Sequence, residues 1–173
     1  MFVQAIVTAS AFTRPIHIIT RYYLSEEIHP GAATLFFVNA NGWALTCKHV
    51  GQYLVASEQL AVKLKAFEDD LAAQRGKKKE KQIIRELEAK HQFSSKTLVE
   101  IRNRFVNCIE VPLNLQIKFH PTLDIALLHF TGFTKLLCAN FPLFPRDTAG
   151  LKQGKFLCRL GFPLTVFKTF HPT

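Results

Sequence analysis

The chain has 173 residues, 48% of them apolar, with 22 Lys and Arg against 13 Asp and Glu, a formal net charge of +9. That is one ordinary domain, or a small domain carrying an insertion, with enough apolar side chains for a real core. No run approaches the roughly 18 apolar residues of a membrane span, and the positive balance permits an acidic or nucleic-acid partner without demanding one.

The N-terminal MFVQAIVTASAF lacks a basic leader, and Gln4, Thr8 and Ser10 break its apolar stretch, so it does not read as a signal peptide. Residues 1–30 are expected to hold one or two strands. Pro15 to Tyr23 is rich in β-branched and aromatic residues, and Pro30-Gly31 reads as a loop marker. His17 and His29 read as surface or core fillers rather than ligands. Ala33 to Val38 predicts a strand, Asn39-Ala40-Asn41-Gly42 a tight turn, and Trp43 to Thr46 the return strand. His49 follows at the end of that second strand. Alone, such a histidine reads most simply as a packed side chain satisfied by backbone groups; with a partner to hold its tautomer it reads as a general base.

From Ala56 to Phe105 the pattern changes to a 3.6-residue period. Leu60, Leu64, Phe67 and Leu71 form one stripe, Ile83, Ile84 and Leu87 a second, and Leu98, Ile101 and Phe105 a third, with Ser94 or Ser95 available as a cap. Two or three amphipathic helices are expected, with a helical hairpin turning at Gly76. Their apolar stripes must pack on something: the rest of the chain, a second copy, or another protein. The segment holds 12 of the 22 Lys and Arg and 8 of the 13 Asp and Glu, so the basic charge is not concentrated there. Lys77-Lys78-Lys79 with Lys81 could touch phosphates but reads better as a solvated turn. No aromatic interleaving accompanies it, so nucleic acid is not the expected partner.

Strand character returns at Cys108. Leu113, Leu115, Ile117 and Phe119 alternate with Asn114, Gln116 and Lys118, a half-buried strand. After the turn His120-Pro121-Thr122, Leu123 to Phe130 predicts a strand headed by Asp124, with burial on both faces. By itself Asp124 reads equally well as a turn carboxylate accepting backbone N–H groups. Lys155 to Gly161 predicts a last strand, and Thr165 to Phe170 the start of another. Cys47, Cys108, Cys138 and Cys158 lie far apart, show no zinc-ligand spacing, and read as buried free thiols of a reducing compartment, which places the protein in the cytoplasm. No cofactor or metal is expected.

Taken together, the hairpin of Ala33–Thr46, T-x-x-H-V at Thr46–Val50, D-I-A-L-L at Asp124–Leu128 and the G-K-F-L-C-R-L-G-F-P run at Gly154–Pro163 resemble the first half of the chymotrypsin/trypsin-like serine proteases, across about Ala33–Val50 and Val111–Pro163. The resemblance implies a mostly β fold with an α insertion. Residues 1–55 and 107–173 would form a six-stranded antiparallel Greek-key barrel, the first of two, and residues 56–106 a two- or three-helix insertion. It implies a serine endopeptidase acting on peptides or proteins, with His49 as general base and Asp124 as the residue that orients it. The chain departs from the family pattern in three places. Cys47 and Lys48 stand where small residues are usual, with Lys48 expected to point away from His49 into solvent. The interval from His49 to Asp124 is long. Ser10, Ser25, Ser57, Ser94 and Ser95 all precede Asp124, so no serine occupies a glycine-rich nucleophile loop. These residues are therefore expected to be the N-terminal part of a longer protease and inactive alone. The alternative is an inactive barrel serving as a protein-interaction module, binding a partner or itself through the helical insertion.

Overall fold

A computed structural model of the chain describes residues 2–74, 76, 80–110, 114–147, 149–150, 153–154 and 158–162. Its elements in order are α1 (Val3–Ser10), β1 (Thr13–Tyr22), β2 (Ile28–Phe37), β3 (Trp43–Thr46), α2 (Lys48–Ala72), α3 (Glu80–His91), β4 (Leu98–Phe105), β5 (Asn114–Phe119) and β6 (Ala126–Thr131). The strands form one six-stranded antiparallel sheet in the order β4-β1-β2-β3-β6-β5. The described residues divide into two compact units. The first comprises 2–16, 32–51 and 105–162, the second 17–31 and 52–104.

In the first unit the hairpin forms as its residues dictate. Asn39 Oδ1 accepts the N–H groups of Asn41 at 3.0 Å and Trp43 at 3.4 Å, closing the turn. Gly42 is obligatory there twice over: its φ is +79°, and a Cβ would lie 2.3 Å from the carbonyl oxygen of Phe130. β3 then alternates, with Ala44 and Thr46 buried and Trp43 and Leu45 half-buried. It pairs antiparallel with β6 from Trp43↔His129 to Thr46↔Ala126, and the Trp43 and His129 rings stack at 3.8 Å. β6 alternates in the same way, burying Ala126, Leu128 and Phe130 completely. Phe130 meets Phe37 at 5.5 Å and Phe105 at 5.1 Å between ring centroids, so flat rings fill this core.

In the second unit the side chains of α2, α3 and the Phe93–Val99 stretch converge on a core of Phe67, Leu87, Phe93 and Val99, with Tyr23, Leu64, Leu71 and Ile83 packed against it. The two expected stripes thus lie on two helices, and Gly76 between them has a left-handed φ of +80°. Among the described residues no helix is long and apolar enough to cross a membrane.

Several expectations change. Leu98, Ile101 and Phe105 lie on strand β4, not on a third helix, and Ser94 begins a turn in which its N–H bonds Thr97 Oγ1 at 2.9 Å. Val99 and Ile101 are buried at a spacing of two, and that alternation outweighs the chance three- and four-residue spacing of the larger side chains. Pro30-Gly31 lies inside β2. The β2–β3 register runs only over Phe36↔Leu45 and Phe37↔Ala44, so Pro30 stands clear of that ladder and its missing N–H costs no bond there. α1 forms where only strands were expected; it buries no residue and has no side-chain cap, and its apolar Val3, Ile6 and Val7 stand at helical spacing. β6 is buried on alternate residues, not on both faces, and begins at Ala126, leaving Asp124 on the turn before it. Residues 158–161 form no strand. Residues 155–157 of that expected strand, the one expected over Thr165–Phe170, and Lys77-Lys78-Lys79 lie outside the described residues.

Candidate functional site

His49 is delivered by a helix start rather than by a strand end. Gly51 N–H donates to the Cys47 carbonyl at 3.1 Å, which makes Cys47 the N-cap of α2 and puts Lys48, His49 and Val50 in its first turn. The first N–H groups of a helix have no partner within it, and a cysteine side chain caps them poorly. Asp124 supplies what Cys47 does not. Its Oδ1 accepts the backbone N–H of His49 at 3.1 Å, and its Oδ2 lies 2.9 Å from Nδ1 of the His49 ring. One carboxylate thus caps the helix and holds the imidazole.

The turn that carries Asp124 is itself braced. The Nδ1 of His120 accepts the N–H groups of Leu123 at 3.0 Å and Thr122 at 3.2 Å, and His120 N–H donates to the Ile125 carbonyl at 2.9 Å. Lys48, expected to be solvated, donates from Nζ to the His120 carbonyl at 3.1 Å and to that of Pro121 at 3.4 Å. Lys48 is not legible as a positioning residue from sequence, because it acts on a segment more than seventy positions distant. His120 acts within its own turn, on N–H groups two and three positions on, and the only signal for it is its place at the head of His120-Pro121-Thr122.

Electrostatics favour an ionised Asp124. The His49 backbone N–H holds its carboxyl below the usual carboxylate value, against a smaller opposing effect of desolvation, and the His49 ring and the Lys48 backbone add to the lowering. The pair is open to water, with side chains 62% and 59% exposed for His49 and Asp124. Among the described residues nothing hydrogen-bonds Nε2 of His49. The pair stands on the wall of a cavity of about 820 Å³. The arrangement can therefore accept a proton at Nε2 and stabilise the resulting imidazolium through Asp124.

The four cysteines are free thiols, as expected, but only Cys108 and Cys138 are buried; Cys47 and Cys158 are exposed. Cys47 lies beside the pair, its Sγ and one ligand atom from each of His49 and Asp124 all within 4.8 Å of one another. Compared with protein-family models, with curated proteins and with solved structures, the chain matches none.

Proposed function

We propose that this chain supplies the histidine and aspartate of a trypsin-like serine endopeptidase, with the serine contributed from outside these 173 residues. The observation that carries the reading is the 2.9 Å approach of Nδ1 of His49 to Oδ2 of Asp124 across an interval of 75 positions. Asp124 accepts the Nδ1 proton and so selects the tautomer with Nε2 free. Nε2 takes the proton of the attacking hydroxyl, and the ionised carboxylate stabilises the imidazolium until the proton passes to the leaving amine. The order β4-β1-β2-β3 supports the reading, since a fourth strand returning by a long connection beside the first is the Greek-key arrangement. Exposed Leu123 (53%) and Ile125 (40%) flank Asp124 and leave apolar surface at the site for a further domain or a substrate.

The test is the complete reading frame that encodes this chain, expressed and treated with a serine-directed fluorophosphonate. Labelling is expected. It is abolished by His49→Ala and slowed on the order of ten-thousand-fold by Asp124→Asn, which removes the acceptor for the Nδ1 proton. Labelling that ignores His49 would sink the proposal. A second reading, an inactive barrel that binds a partner through its helices, draws on exposed Tyr53 (46%) and Val62 (72%) on α2. It requires that the same frame show no labelling at all.

A further inference from the structure

Beyond a proton couple, the site holds three side chains of the kinds that bind zinc. We propose that Cys47, His49 and Asp124 form a site for one thiophilic divalent cation, Zn(II) foremost, and that filling it withdraws His49 from proton transfer. The second clause rests on the peptidase reading above; the binding itself does not.

Thiolate, imidazole and carboxylate together are a zinc-type donor set, and three protein ligands leave a fourth position for water or an incoming group. A tetrahedral Zn(II), with bonds of about 2.0–2.3 Å, separates its ligand atoms by roughly 3.3–3.6 Å. The three candidate atoms already lie within 4.8 Å of one another, and Nδ1 and Oδ2 are 2.9 Å apart. One pair must open by a few tenths of an ångström and the sulfur must close by at most about an ångström, within reach of a turn about χ1 of an exposed side chain.

The scaffold is already set. Cys47 and His49 occupy the N-cap and second position of α2, and the Asp124 carboxylate is held by a backbone N–H as well as by the ring. The neighbouring cavity leaves room for the fourth ligand. Cys47 binds as thiolate, releasing its proton to solvent. Coordination at Nε2 blocks the base, and coordination at Nδ1 displaces the proton held against Asp124; either way, proton transfer through His49 stops. Sequence spacing alone did not suggest this site, because the two adjacent ligands, Cys47 and His49, acquire the third only when the Asp124 turn folds against them.

The experiment uses the full 173-residue chain, reduced with a phosphine, and titrates it with Co(II) as a spectroscopic probe. The expected result is a thiolate-to-cobalt charge-transfer band that saturates at one equivalent and is displaced by Zn(II). Cys47→Ser abolishes the band, while Cys158→Ser, which removes the other exposed thiol, leaves it intact; circular dichroism shows both variants folded. His49→Ala and Asp124→Ala each weaken Co(II) binding at least tenfold. No charge-transfer band, or a band that survives Cys47→Ser, overturns the site. In the complete reading frame, Zn(II) slows fluorophosphonate labelling of the parent protein and not of Cys47→Ser. Labelling indifferent to Zn(II) despite cobalt binding overturns the inhibitory clause, and labelling indifferent to His49 overturns the peptidase reading while the cation site stands.

Discussion

Replacing Gly51 with alanine sets helix propensity against packing, and the structure decides the sign. Gly51 lies in the first turns of α2, where in an open helix the exchange gains about 1 kcal/mol. Here the added Cβ meets Cε1 of Phe119 at 2.8 Å, Cβ of Ala126 at 3.0 Å and Cγ2 of Ile117 at 3.5 Å. Carbon atoms rest about 3.5–4.0 Å apart. The Phe119 ring is 39% exposed and can swing aside, but Ala126 is completely buried and its Cβ is fixed to β6. Overpacking of this kind costs about 1–3 kcal/mol, so after the propensity gain the net loss is about 1 kcal/mol. The start of α2 has to retreat, and His49 rides on it, so the contact with Asp124 lengthens. Urea unfolding followed by circular dichroism reads the loss as a fall in midpoint of roughly 0.5 M, for a slope of about 2 kcal/mol/M. In a Phe119→Ala background the penalty shrinks but persists, because Ala126 remains in place. A Gly51→Ala protein as stable as its parent would refute the claim that this helix start is pressed against β5 and β6.

Three further outcomes are expected. Asp124 titrates below its usual value of 3.8, so the stability it contributes is fully present above that value and is lost as the pH falls through its lower folded-state value. Asp124→Asn should therefore flatten the acid limb of the stability curve, and an unchanged limb measured by urea unfolding would contradict the assigned bonds. Phe67→Ala, at the centre of the second unit's core, should cost about 3–5 kcal/mol in the same assay, and a loss under about 1 kcal/mol would mean that the core is not packed as described. Iodoacetamide should alkylate Cys47 and Cys158 quickly. Cys108, whose thiol is pushed up to about 12 by burial, and Cys138, also raised by burial, should react only on unfolding; mass spectrometry of the alkylated peptides checks the order.

Legibility from sequence followed the range of the interaction. The Asn39–Gly42 turn, the return strand Trp43–Thr46 and the stripes of α2 and α3 depend on neighbours a few positions away, and all were readable. β4 was misread because Leu98, Ile101 and Phe105 satisfy a helical spacing while Val99 and Ile101 satisfy a strand spacing, and only sheet pairing chooses between them. α1 is eight residues long, and its Val3, Ile6 and Val7, though at helical spacing, are too few to separate a helix from a strand-like apolar run.

The amino-acid sequence by itself determined that a hairpin would end just before His49 and that a carboxylate would stand ahead of the apolar run after Pro121, because turn chemistry and apolar patterning are local; that a helix start carries His49 was not among its readings. Only the tertiary structure decided that Asp124 caps the helix carrying His49, that Lys48 and His120 brace its turn, and that Cys47 joins the pair. Apart from the bonds of His120 within its own turn, those contacts join segments more than seventy positions apart, and such pairings arise from closing the sheet rather than from any spacing along the chain.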